Sequence, residues 1–457
     1  MAGIGWKLER MLDRDSLAST VAAYLTGVAV TSAPWLLTTT ALVSMHLLAR
    51  EHAGQGEFPA VEQIVTVTYA VTLVLSAPIH IVLSRYTADR LYERRPGAIA
   101  ASIRTTLAAT LFGFLVVGLC TMALFGAPRS LAYAIPTLAA LVGGQWLLLG
   151  VGGGLCSPVV VLRAFGAGTL VSIAGSLALE RGAGLGARGF LYGFAAGQAV
   201  TMAGMLIGVL RALPETDDPD ARAHPWAAFR EYRLLAGAAF AFHLSVWADK
   251  LVLWVVAGQA QAAIYASAAA LAWFSMIPAF AWIYVEVETA FYRKFRSFYG
   301  AIEGGAALST LARDADELRR ETARIVRGAA AIQIALTTIT LAASSRLVAA
   351  TGLGPEAVLP FRLVALGAAP QVIAMIGMLL LHYFDLRYDA FLVAATHLTA
   401  CVVVTAGAWA LGLPPGLGFV TASVLSTVIV LHLVRHRLQQ LVVDTFQSQP
   451  YNAELLG

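Results

Sequence analysis

Twelve runs of mostly apolar residues, separated by short polar stretches, constrain this 457-residue chain more than any motif in it. A helix needs about 20 apolar residues to cross the hydrocarbon core of a bilayer. Runs of that order fall at 18–48, 61–84, 101–125, 131–152, 160–179, 189–211, 234–257, 262–291, 328–345, 359–383, 390–411 and 417–434. Hydrophobic residues make up 58% of the chain and charged residues 13%. A soluble domain carries about 25% charged residues, and no single buried core absorbs this much apolar surface. The expected fold class is an all-α polytopic membrane protein with about twelve transmembrane helices. The opening "MAGIGWKLERMLDRDSL" puts charges where a signal peptide would need an apolar region. Its Ile4, Leu8, Met11 and Leu12 recur at helical spacing, so 1–17 reads as a helix lying on the membrane surface.

Basic residues orient the spans. With the N-terminus inside, the cytoplasmic segments are 1–17, 85–104, 153–163, 211–233, 292–327, 384–389 and 435–457, and they hold 24 of the 31 Lys and Arg residues. The outer segments and flanks hold six, Arg50, Arg129, Arg181, Arg188, Arg346 and Arg362, and Lys250 is left inside a span. Cytoplasmic loops collect Lys and Arg, so both ends are expected in the cytoplasm. The proline-rich and acidic stretch at 212–233 divides the chain into six-span halves, 18–211 and 234–437. The second half carries a cytoplasmic helical loop at 292–327, with a surface helix expected at 306–327, and a tail follows at 438–457. Halves that both begin and end inside suit a pseudo-two-fold axis along the membrane normal.

Little in the chain suits catalysis. Cys120, Cys156 and Cys401 each lie inside an apolar run and read as small core residues rather than disulfides or metal ligands. No CxxC, HExxH or P-loop pattern sits in a supporting context, and the outer loops, about a dozen residues at most, are too short to hold a sugar donor and catalytic carboxylates. An enzyme is not expected, nor a cofactor or a metal. The net charge of +4 follows from topology and gives no reason to expect nucleic acid.

Ionisable and helix-breaking residues inside the spans are the remaining candidates, because a charge in hydrocarbon is costly and usually kept for a purpose. Asp249 and Lys250 lie side by side in the outer half of the seventh run, and His243 precedes Lys250 by seven residues, hence near the same face. A polar lining that meets substrate or protons is the favoured reading, and an ion pair bracing the helix is its alternative. Glu286 and Glu288 end the eighth run. Two residues apart on a helix, they point to nearly opposite faces, so at most one is expected on a path. Glu288, closer to Arg293 and Lys294, can instead snorkel into headgroups. Arg85 and Asp89, four apart, are placed to pair as the second run leaves the membrane. Arg362, on the outer side, can greet an emerging substrate. Pro34, Pro78, Pro136, Pro278 and Pro370 interrupt spans, and Trp247, Trp254, Trp273, Trp282, Tyr265 and Tyr284 concentrate in the seventh and eighth. Together these rings suit an aromatic lining on which sugars stack, although any single ring also suits packing or an interfacial belt.

The segments "MAGIGWKLERMLDRDSL", "SAPWLL", "LSRYTADRLYERR", "VWADKLVLWV" and "VETAFYRKFRSFYGAI" resemble the PelG family, inner-membrane transporters of the Pel exopolysaccharide system in Gram-negative bacteria. That family resembles in turn the flippase superfamily of MATE drug exporters, lipid II flippases and O-antigen flippases. The resemblance implies two six-helix bundles around a central cavity and an amino-sugar polymer as cargo. It also implies partners: a PelF-like cytoplasmic glycosyltransferase using UDP-sugar, and PelD- and PelE-like membrane proteins, the former carrying a cyclic-di-GMP receptor domain. It supplies no transport residues. A MATE-type exporter of small compounds, a lipid-linked oligosaccharide flippase and a non-transporting scaffold are the competing readings.

Overall fold

The computed structural model describes residues 5–13, 16–52, 58–93, 97–124, 129–213 and 225–447. Among them the chain is helical throughout, without a strand. Apolar segments in a bilayer have to satisfy their backbone groups internally, and a helix is how a single segment does so. Eleven helices are long and apolar enough to cross a membrane, and the first span adds a twelfth as two segments, Leu17–Ala29 and Pro34–Met45, with a break ahead of Pro34. Each of the twelve runs thus has a helical counterpart. Within the 1–17 stretch a short helix runs over Gly5–Leu12, with Leu8 fully buried, while residues 1–4 and 14–15 lie outside the described residues.

Local chemistry sets several boundaries. Ser157 caps the fifth span, Pro158–Leu177, its hydroxyl accepting from the Val159 N–H, and Pro158 enters the first turn, where no N–H is needed. The second and tenth spans, Phe58–Tyr92 and Val358–Tyr383, continue through Pro78 and Pro370. The eighth breaks at a 3-10 turn, Phe274–Met276, just before Pro278, and again at a π-helical turn, Val287–Phe291. One element differs from expectation. The surface helix and the ninth span, read as 306–327 and 328–345, are a single 35-residue helix, Leu308–Ala342. Of the 212–233 linker, residues 214–224 lie outside the described residues; Pro225–Glu231 is a short helix. The tail beyond 447 also lies outside them, after a last helix at Leu441–Gln447.

The chain packs as two compact units, residues 32–244 and residues 2–31 with 245–457. These limits fall inside the first and seventh spans rather than in the linker. In the first unit the fifth span and the sixth, Ala187–Ala212, approach at backbone distance. Gly193 and Gly197, spaced by four, face Ser176 and Ser172 with Gly168, while Gly189 meets the backbone at Leu179 and Glu180; a Cβ built on Gly193 would lie 2.1 Å from the Ser176 nitrogen. Small residues at that spacing allow close helix approach where no hydrophobic force drives helices together. The Ser176 hydroxyl then donates to the Phe190 carbonyl at 3.0 Å. The second unit is cored by Tyr265, Phe361, Val364, Ala365 and Phe419.

Candidate functional site

Asp249 and Lys250 are buried in the second unit, 1% and 7% exposed. Adjacent residues of a helix point about 100° apart, which keeps side chains from stacking directly. The lysine stem nonetheless curls back, and its Nζ lies 2.9 Å from Asp249 Oδ1. The same oxygen accepts the Lys250 backbone N–H at 2.9 Å, and Oδ2 accepts the Tyr265 hydroxyl at 2.5 Å. The ammonium also donates to the Val246 carbonyl at 2.9 Å and sits 4.3 Å from the Trp273 ring centroid. His397, on the eleventh span (Arg387–Ala410), lies within electrostatic reach of both charges, its Nδ1 3.0 Å from Ser426 Oγ. Both carboxylate oxygens and two of the three ammonium N–H groups are thus engaged, as buried charge requires.

A second polar set in the same unit gathers at Glu286, which is 8% exposed. Its Oε1 accepts the Tyr24 hydroxyl at 2.9 Å and its Oε2 pairs with Arg324, which also pairs with Glu321 at 2.5 Å. Tyr24 stacks on Trp282 with ring centroids 5.9 Å apart, and the Trp282 indole N–H donates to the Ile325 carbonyl at 3.3 Å. The start of the first span, the eighth span and the ninth helix thereby meet on one carboxylate.

In the first unit Arg85 and Asp89 pair at 3.3 Å as their spacing predicts, and Asp89 also accepts the Tyr232 hydroxyl. His243 packs edge-on to His80, ring centroids 5.8 Å apart, with its Nδ1 2.8 Å from the Ala239 carbonyl. A separate buried triad joins Gln145 to Gln198 at 3.1 Å and Tyr69 to Gln198 at 2.9 Å.

A family model for the PelG exopolysaccharide exporter (EPS-E) matches residues 1–446. The chain belongs to the PelG exopolysaccharide exporter family. No curated protein matches its sequence. Among solved structures it is similar to an outward-facing multidrug resistance MATE family transporter of the MOP superfamily, at 14% identity and a TM-score of 0.63, over 91% of this chain and 96% of that one. A MOP superfamily transporter from Pyrococcus furiosus Vc1, described by the reverse polarity of its binding pocket, gives the same figures. A MATE in the bent conformation aligns over 97% of this chain and 99% of that one, at 12% identity and a TM-score of 0.61. At such identity the likeness concerns the fold alone; the family match is what makes this PelG-family chain a membrane transporter rather than an enzyme.

The sequence candidates separate within this PelG-family fold. Asp249 and Lys250 come together; His243 packs instead against His80. Glu286 is braced by Tyr24 and Arg324. Glu288 does not reach Arg293 or Lys294, which pair with Glu9 at 3.0 Å and Glu317 at 2.5 Å; it accepts the Tyr383 hydroxyl at 3.2 Å instead. The π turn at 287–291 redirects the side chains that follow it. Arg362 Nε donates to Ser344 Oγ at 2.7 Å. Trp247 is half-buried, its indole nitrogen without an acceptor among the described residues. Tyr24, Arg324, His80 and His397 carry no signal in the sequence pattern, since each meets a partner on a different helix.

Proposed function

We propose that this PelG-family transporter exports a Pel-type amino-sugar polymer from a cytoplasmic synthase across the bacterial inner membrane, with both chain ends in the cytoplasm. The observation that carries the reading is the family match along residues 1–446, on a chain with eleven to twelve spans. Polar groups inside both units supply a chemistry suited to a hydrated chain. An exporter of small cationic compounds would offer a buried acid open to the cation, whereas Asp249 is already engaged by Lys250 and Tyr265. The partners that fit are a PelF-like glycosyltransferase and PelD- and PelE-like membrane proteins.

Removing the chain from cells that secrete such a polymer should abolish extracellular amino-sugar polysaccharide, while cell lysates still polymerise UDP-sugar. A plasmid copy should restore secretion. Undiminished polymer in the medium of the deletion strain sinks the reading.

A further inference from the structure

A carboxylate inside a membrane protein is neutralised by a proton, by a cation from solution, or by a cation on the chain itself. Asp249 takes the third course. Its Oδ1 holds the Lys250 ammonium and N–H, each at 2.9 Å, and its Oδ2 holds the Tyr265 hydroxyl at 2.5 Å. The ammonium has a second oxygen, the Val246 carbonyl at 2.9 Å, and two ring faces, Trp273 at 4.3 Å and Tyr265 at 5.5 Å from their centroids. Two oxygens and two aromatic faces around one positive charge form the surroundings in which a free monovalent cation would be held.

We propose that Lys250 is a tethered counter-cation: it fills the place at Asp249 that a free monovalent cation would take, so the interior of the second unit stays electroneutral without drawing ions or protons from solution. Movement of cargo is then not coupled to an ion gradient through Asp249. The claim is independent of what the cargo is. It also makes Lys250, not Asp249, the residue that decides ion sensitivity. The other titratable groups around the pair are Tyr265 on the eighth span and His397 and Cys401 on the eleventh.

The test uses the purified full chain and its thermal unfolding midpoint, titrated with Na+, K+ or methylammonium at constant ionic strength. A ligand that binds only the folded state raises the midpoint with a saturating dependence. The wild type should show the same midpoint in all three salts. Lys250→Ala leaves Asp249 uncompensated, so its midpoint should fall. It should then recover in a saturable way with methylammonium or Na+, or on acidification as Asp249 takes a proton. The double variant Asp249→Asn with Lys250→Ala should lose that response; since Tyr265, His397 and Cys401 remain in it, a response that persists belongs to them and overturns the proposal. Saturable stabilisation of the wild type by Na+ also overturns it, as does a folded Lys250→Ala that answers neither to cations nor to acid. If Lys250→Ala misfolds, purification in methylammonium should recover it; failure there, with the double variant folded, counts the same way. No arm contains polymer, so its failure leaves the export reading intact.

Discussion

A methyl group built on Gly328 would meet the Trp282 indole at 2.4 Å, on the same ring that stacks against Tyr24, whereas one built on Gly166 finds nothing within 4 Å. The two glycines sit in helix interiors, so the propensity term is the same for both, about 1 kcal/mol in favour of alanine. Packing decides the sign. Gly166→Ala should raise the unfolding midpoint; Gly328→Ala should lower stability by about 1–3 kcal/mol, because overpacking costs more than propensity returns. A Gly328→Ala midpoint that rises along with that of Gly166→Ala would refute the close approach. The site residues divide by the same distinction between local and distant causes. Arg85 and Asp89 are legible because four-residue spacing is a property of one helix. Asp249 and Lys250 stand out because charge interrupts an apolar run, but the Tyr265 hydroxyl that completes them comes from the next helix. Tyr24 lies 262 residues before Glu286, and no periodicity links the two. His243 shows the opposite failure: its seven-residue spacing to Lys250 is valid on a helix, yet its partner is His80.

The ninth helix explains where element boundaries mislead. Its first half is densely charged and its second apolar, so hydropathy divides it near 327. Burial does not: Leu311, Ala315, Leu318, Thr322, Ile325, Ala329 and Gln333 form one stripe at three- and four-residue steps across that point. The stripe is present in the sequence and marks a single rod. Opposite it, Arg319 and Arg320 are exposed, with Arg319 paired to Asp316 at 2.9 Å. This polar face is a proposed docking surface for the cytoplasmic synthase. Charge reversal, Arg319→Glu with Arg320→Glu, should cut recovery of the glycosyltransferase in pull-downs. The unfolding midpoint should barely move, since surface changes stay within about 0.5 kcal/mol. Equal recovery of the partner from variant and wild type would remove this face from consideration.

At the scale of the whole molecule, the linker marks where the chain leaves the membrane, not where packing changes hands. Residues 2–31 pack with the second unit, while 233–244 of the seventh span pack with the first. Composition records contact with water and lipid, which is why the spans are legible, and it is silent on which apolar face meets which. The basic residues are a record of the first kind. With 24 Lys and Arg in the segments expected inside and six in those expected outside, the positive-inside rule predicts the start of the ninth helix in the cytoplasm and the 346–358 loop outside. Ala315 is buried, but Ala312 and Thr351 are exposed, so cysteine at the latter two can report on sidedness. In a background without Cys120, which is itself exposed, Thr351→Cys should react with a membrane-impermeant maleimide in intact cells. Ala312→Cys should react only after permeabilisation. The reverse pattern would invert the protein in the membrane and move the Arg319 and Arg320 face to the side where no cytoplasmic synthase could reach it.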